Sequence, residues 1–154
     1  MRFWVTVASK DHALRGINGG FIQACHGKAA PLKRLKGGDY VIFYCPKLTM
    51  DSPIKYQKFL GVGKVICDKV YQFQMSDSFI PSRMDIDFFL PACEVAILPL
   101  IQQLEFIQDK VHWGYPFKFG YFQISMSDFE LIVKQMSKLD SDSIRAEYES
   151  SQLF

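Results

Sequence analysis

The chain has 154 residues and is 49% apolar, enough for one domain that buries a core without staples. Its 18 Lys and Arg against 16 Asp and Glu leave a net charge of only +2. No apolar run reaches the ~20 residues that span a bilayer. No basic segment leading into an apolar one opens the chain, so the expectation is a cytoplasmic protein without a signal peptide. Its four cysteines, Cys25, Cys45, Cys67 and Cys93, form no Cys-x-x-Cys pair and are expected to be reduced and buried.

In chain order, Phe3, Val5 and Val7 alternate with Trp4, Thr6 and Ala8, which predicts a strand over 2–8 with two usable faces. Ser9 is placed to cap a short helix over 10–16, which Gly16 and the Gly19-Gly20 pair end. Residues 31–36 fit a helical turn opened by Pro31, and residues 40–45 a strand. A polar loop over 47–56 leads into a strand over 59–67, whose Gly61 and Gly63 mark a bulge or a close approach. After a short turn, Tyr71 to Met75 continues the sheet, and Met84 to Leu90 adds a strand. Pro99 to Ile107 reads as a helix, Trp113-Gly114 as a loop, and Tyr121 to Met126 as a strand. Ser127 with Glu130 forms a capping box for a helix over 128–136. Strands dominate, the helices are short, and no βαβ period is present. The fold expected is therefore α+β, a mixed β-barrel of about six strands with short peripheral helices. Residues 1–137 form its domain, and 138–154 an acidic helix or tail.

Charge is unevenly distributed: residues 1–50 carry eight Lys and Arg against Asp11 and Asp39, a local excess of +6. A basic face suits an anionic partner such as nucleic acid, or simply solvates a surface. No histidine or cysteine spacing matches a metal site. Gly16 with Gly19-Gly20 lacks the Gly-Lys-Ser/Thr end of a nucleotide loop, so neither metal nor cofactor is expected. Cys25 or Ser9 with His12 lacks any nucleophile signature.

What remains is a pocket for a planar ligand, in which aromatic faces stack and polar groups read edges. The candidates around a nucleobase are Ser9, His12, Phe21, Gln23, His26, Phe79 and Trp113. Lys28, Lys33, Arg34 and Arg83 are the candidates for phosphate. Trp4 and Tyr44 fit strand core equally well, and Arg83 fits a turn in which it pairs with Asp85 or Asp87.

The run Trp4…Ser9…His12…Gly16…Gly20-Phe21…Gln23…His26-Gly27-Lys28…Pro31-Leu32…Arg34…Gly38-Asp39 resembles the EVE domain family of PUA-like proteins. Phe59…Gly61, Phe79…Pro81…Arg83, Trp113-Gly114…Phe117…Gly120 and Asp128-Phe129 follow in the right order, so the resemblance covers about residues 1–136. It departs at Met84, where a second arginine usually follows the first, and that removes an arginine pair from this loop. The resemblance implies a PUA-like pseudobarrel related to YTH domains, with a concave aromatic pocket for a flipped, modified base of DNA or RNA. It places that pocket where the first strand meets the first helix, near Ser9, with Phe21 as stacking wall. The reading is a binding module rather than an enzyme. The alternative is a small amidohydrolase like the ASCH branch, which needs a Lys, a Thr and a Glu together. Lys10, Lys28 and Thr6 are present here, but no Glu precedes Glu94.

Overall fold

The computed structural model describes residues 1–24, 29–139, 149, 150 and 152. Six strands form one sheet: β1 (Phe3–Val7), β2 (Phe21–Gln23), β3 (Tyr40–Lys47), β4 (Lys55–Gln72), β5 (Ser82–Ala96) and β6 (Tyr121–Ile124). Helix α1 (Lys10–Gly19) joins β1 to β2, and helix α2 (Met126–Leu139) follows β6. The strand order is β2-β5-β4-β3-β1-β6, with β1 parallel to β3 and the other pairs antiparallel.

Period-two alternation gives this sheet two apolar faces. Phe3, Val5, Tyr40, Ile42 and Tyr44 point to one core with Phe129, Ile132 and Met136 of α2. Trp4, Val41, Phe43 and Cys45 point to the other, with Ala13 of α1 and Ile22 of β2. Phe129 anchors the first core, its ring centre 4.6 Å from that of Phe3 and 5.4 Å from that of Tyr40. Along β4 a bulge between Leu60 and Val62, where Gly61 adopts φ 69°, shifts the alternation by one residue, so that Phe59 and Val62 face the same core. Neighbouring Gly63 packs so closely that a Cβ there would lie 2.4 Å from Ile86 Cγ2.

The expected closed barrel is an open sheet, with β2 and β6 as its edges. Side chains bridge those edges. Tyr121 Oη of β6 donates to Gln23 O of β2 at 2.5 Å, and Arg34 Nη2 donates to Tyr121 O at 2.8 Å. A second hub is the buried Asp39 carboxylate, which accepts from Arg2 N, Trp4 Nε1 and Lys36 N at 2.9–3.0 Å.

Several local expectations shift for identifiable reasons. Helix α1 runs through Gly16 and stops at Gly20, which takes φ 75° and bonds back to Gly16 O. Ser9 precedes α1 without a side-chain cap; its Oγ donates to Asp11 Oδ1 at 2.6 Å instead. The Pro31 turn shortens to a 3-10 helix, Leu32–Arg34. The stretch 99–107 is not a helix beyond the 3-10 turn Leu98–Leu100. Asp128 Oδ1 and Oδ2 take the amides of Glu105 and Phe106, and Lys110 Nζ takes the carbonyls of Ile101 and Leu104. Side chains thus satisfy backbone groups there that a helix would pair internally. The cap of α2 is Ser125 rather than Ser127, because Ser125 Oγ accepts from Asp128 N at 3.1 Å. The turn expected before Tyr71 is an irregularity in the β4–β5 ladder between Val65 and Val70. Residues 115–119, expected as loop, form a 3-10 helix. Cys45 is buried as expected, whereas Cys67 is exposed.

Helix α1 is tethered at its start. Lys10 Nζ lies 3.0 Å from Glu94 Oε1 on β5, and Lys58 Nζ lies 3.5 Å from Glu94 Oε2. The Tyr56 hydroxyl beside it holds the Glu94 carboxyl below its ordinary value of 4.5; burial opposes this, and Lys10 and Lys58 add to it. A depressed carboxylate stabilises the fold above its unfolded pKa, and that contribution fades as pH falls through the folded value. Glu94→Gln therefore lowers the melting temperature at pH 7, within roughly 1 kcal/mol because the pair is partly solvated. The gap to wild type closes below pH 4.5 in pH-dependent melts. Tyr121→Phe costs about 1–2 kcal/mol and speeds amide exchange in β2 while sparing α2. Uniform loss of protection would show that the edge bridge is not local to β2.

Candidate nucleobase cavity

A cavity of about 310 Å³ opens where β1 hands over to α1, walled on the far side by β2 and β5. The corner exists because α1 packs tightly on β2: a Cβ at Gly16 would lie 2.6 Å from Phe21 O and 3.2 Å from Phe43 Cζ. Only a glycine allows that approach. The floor is Phe43, Ile22 and Ala24, and the lining is predominantly apolar. Polar groups are few: Thr6, Ser9, His12, Arg15, Gln23 and Arg83. Met50, Met75 and Phe79 stand at its loops, 64%, 42% and 40% exposed.

Its most unusual member is Arg83, only 8% exposed. The register sets it opposite Gln23 across β2 and β5, and its Nε donates to Gln23 Oε1 at 3.0 Å. Its guanidinium carbon lies 3.8 Å from the Phe21 ring centre and 4.0 Å from that of Phe73. Two rings that close cannot share one side, so the guanidinium is sandwiched between them. Burial lowers its pKa. Asp85 and Asp87 do not pair with it; the Asp85 carboxylate accepts the Tyr71 hydroxyl at 2.5 Å instead. Met84, where the resemblance implies a second arginine, is fully buried in the core beside Ile22.

At the helix start, burial would raise the Asp11 pKa. The Ser9 hydroxyl, the His12 amide and the charges of His12 and Arg15 outweigh it and hold the carboxyl below its ordinary value. The Ser9 proton is therefore directed to a carboxylate, not to His12. Burial pushes the Cys45 thiol up to about 12, where it is not a nucleophile. Lys10 and Glu94 meet, as an amidohydrolase arrangement requires, and Thr6 lines the cavity; but neither Lys10 nor Glu94 does.

Of the residues expected around a base, Ser9, His12, Phe21, Gln23 and Phe79 line this one cavity, together with Arg83 from the phosphate set. Trp113 does not join them: it packs on the α2-side core, edge-on to Phe117 at 6.5 Å. Arg34 is turned to the fold, its guanidinium 5.5 Å from the Trp4 ring and bonded to Tyr121 O. Lys33 is exposed and outside the lining. His26 and Lys28, like Cys25, lie outside the described residues, as does most of the stretch after 139. Arg15, Met50, Met75 and Phe73 were missed. The exposed apolar tips were the available signal; the Arg83 sandwich had none, because cross-strand register is invisible in a single sequence.

A model of the EVE domain matches residues 2–135. The chain is 49% identical over 131 residues to the UPF0310 protein in gntR 5'region of Bacillus licheniformis, covering 85% of this chain and 88% of that protein. It is 40% identical over 134 residues to the UPF0310 protein YdcG of Bacillus subtilis, covering 87% and 91%. Among solved structures, its fold is similar to that of Rpa0253 from Rhodopseudomonas palustris, at TM-score 0.56 and 13% identity over 92% of this chain and 97% of that one. It is also similar to the YTH domain of the Zygosaccharomyces rouxii MRB1 protein in complex with N6-methyladenosine RNA, at TM-score 0.55 and 15% identity over 88% and 86%. Together with the strand-to-helix corner, the family match over residues 2–135 means that this chain belongs to the EVE domain family.

Proposed function

We propose that this protein is a binding module that takes a flipped, modified nucleobase of DNA or RNA into the β1–α1 cavity. The observation that carries the reading is the cavity itself: about 310 Å³, mostly apolar, with a few convergent polar side chains. A similar fold solved with N6-methyladenosine RNA makes this ligand class the first to try. In this reading Phe79 and Phe21 stack on the base. Ser9, His12 and Gln23 read its edge, and a methyl-sized substituent enters the apolar floor. His26, which lies outside the described residues, is kept in this reading as an edge reader, whereas Trp113 is assigned to packing.

Catalysis is the weaker reading. Lys10 and Glu94 neutralise each other outside the cavity, and Ser9 is bonded to Asp11 rather than to His12. Turnover of an acetylated cytidine would reverse that preference.

The phosphate backbone is assigned to Lys33, with Lys28 in the same role. Lys33 and Lys36 are exposed, with no side-chain partner among the described residues. Each of Lys33→Ala and Lys36→Ala should flatten the salt dependence of oligonucleotide binding by about one unit of slope. Phe79→Ala is the cleanest test of stacking, because Phe79 is 40% exposed and supports no core. A stacked base is worth about 1–3 kcal/mol, so affinity for a labelled oligonucleotide with a methylated base should fall at least about fivefold in anisotropy titrations. The melting temperature should be unchanged. Unaltered affinity, or equal affinity for methylated and unmethylated strands in wild type, contradicts the reading.

A further inference from the structure

Arg83 presents a charge problem that the fold does not resolve. Only 8% of it is exposed, yet among the described residues it makes no ion pair. Both faces of its guanidinium are covered by Phe21 and Phe73, and its Nε is committed to the neutral Gln23 amide. What is left is the in-plane edge, the Nη1 and Nη2 donors, of a residue that lines the cavity. A buried cation is costly unless it meets an anion, and a guanidinium fork fits two oxygens of one carboxylate or phosphate. A neutral base edge would satisfy the N–H groups but leave the charge unopposed. Aromatic faces on both sides also fix the plane of the fork, so it is already oriented when a ligand arrives.

Resting on the base-binding reading, we propose that Arg83 is an anion subsite of the cavity. The flat ligand carries its negative charge as a pair of oxygens, from a phosphate on its sugar or from a carboxylate on its ring, against the Nη edge. The cavity then selects by charge as well as by shape: a neutral nucleoside is an incomplete ligand. Gln23 is the positioning residue, because its Oε1 sets the rotation of the fork about the side-chain axis, and its backbone is itself held by Tyr121.

The test is a set of titrations of the full chain by nuclear magnetic resonance. It follows the Arg83 Nε–H signal, identified by its absence in Arg83→Lys. The probes are cytidine, guanosine, cytidine 3′-monophosphate, 5-carboxycytidine and ribose 5-phosphate. At least one of the two charged cytidines should bind about ten- to a hundredfold tighter than cytidine and move that signal, the gain of a charge-assisted hydrogen-bond pair. A gain with the monophosphate assigns the charge to the sugar phosphate; a gain with 5-carboxycytidine assigns it to the ring. In Arg83→Gln the difference between charged and neutral ligands should vanish. The wild-type signal decides the matter even if that variant unfolds. Equal binding of cytidine and both charged relatives overturns the proposal, as does guanosine matching them or a charge preference that survives Arg83→Gln. If ribose 5-phosphate binds through Arg83 as tightly as the monophosphate, the anion subsite stands and base reading falls. If cytidine binds and charge adds nothing, base reading stands and the subsite falls.

Discussion

Tyr121 reaches from one edge strand to the carbonyl of Gln23 on the other, across a sheet whose backbone ladder stays open. That single donor ties together the two ends of the strand order and fixes the short strand β2, only three residues long. Strand β2 carries Phe21 and Gln23 into the cavity and pairs with Arg83 on β5. Tyr121 is in turn held through its own carbonyl by Arg34, whose guanidinium also lies against Trp4. Trp4 bonds to Asp39, and Asp39 anchors the start of β1 through the Arg2 amide. The chain of contacts runs from the first strand to the last and back to the cavity wall. A net hydrogen bond is worth only about 1 kcal/mol, so the importance of the bridge lies in what it positions rather than in bulk stability.

The basic excess of residues 1–50 has a different meaning once the side chains are placed. Arg2 and Arg34 flank Trp4, Lys10 pairs with Glu94, and Arg15 lies near Asp11. Lys47 Nζ bonds to Met50 O. Among the described residues, five of those cations are engaged within the fold, Lys10 and Arg15 of them on α1. Lys33 and Lys36 keep exposed side chains, and Arg83, from outside the basic segment, joins Arg15 in the cavity lining. Local charge surplus in a sequence counts ionisable groups; it does not say which of them face solvent.

Much of the sheet was legible because alternation and burial obey the same period: Phe3/Val5 against Trp4, and Tyr40/Ile42/Tyr44 against Val41/Phe43/Cys45. The bulge at Gly61 was legible because a glycine weakens the interior of an apolar strand, and a bulge or a close backbone approach is what makes one useful there. The stretch 99–107 was not, since its backbone is satisfied by Asp128 and Lys110, distant or unremarkable in sequence. The α2 cap slipped by two residues because Ser125 and Ser127 both satisfy the same local rule, and only Ser125 Oγ reaches Asp128 N. At the cavity, the β1–α1 corner and its side chains from Ser9 to Gln23 were readable as a cluster. The register that brings Arg83 to them is a long-range property of the β2–β5 pair, and Phe79 comes from the turn before β5. Trp113 was drawn in by its residue type, but it sits among Phe106, Phe117 and Phe122 against the other core.

In the proposed function, the corner of β1 and α1, closed by β2 and β5, receives a single extruded base. A crystal structure of the protein with a short oligonucleotide carrying one methylated base tests it most directly. The expected result is the methylated ring inside the cavity between Phe21 and Phe79, its edge toward Ser9, His12 and Gln23. A strand bound elsewhere, with every base stacked and the cavity empty, would contradict it.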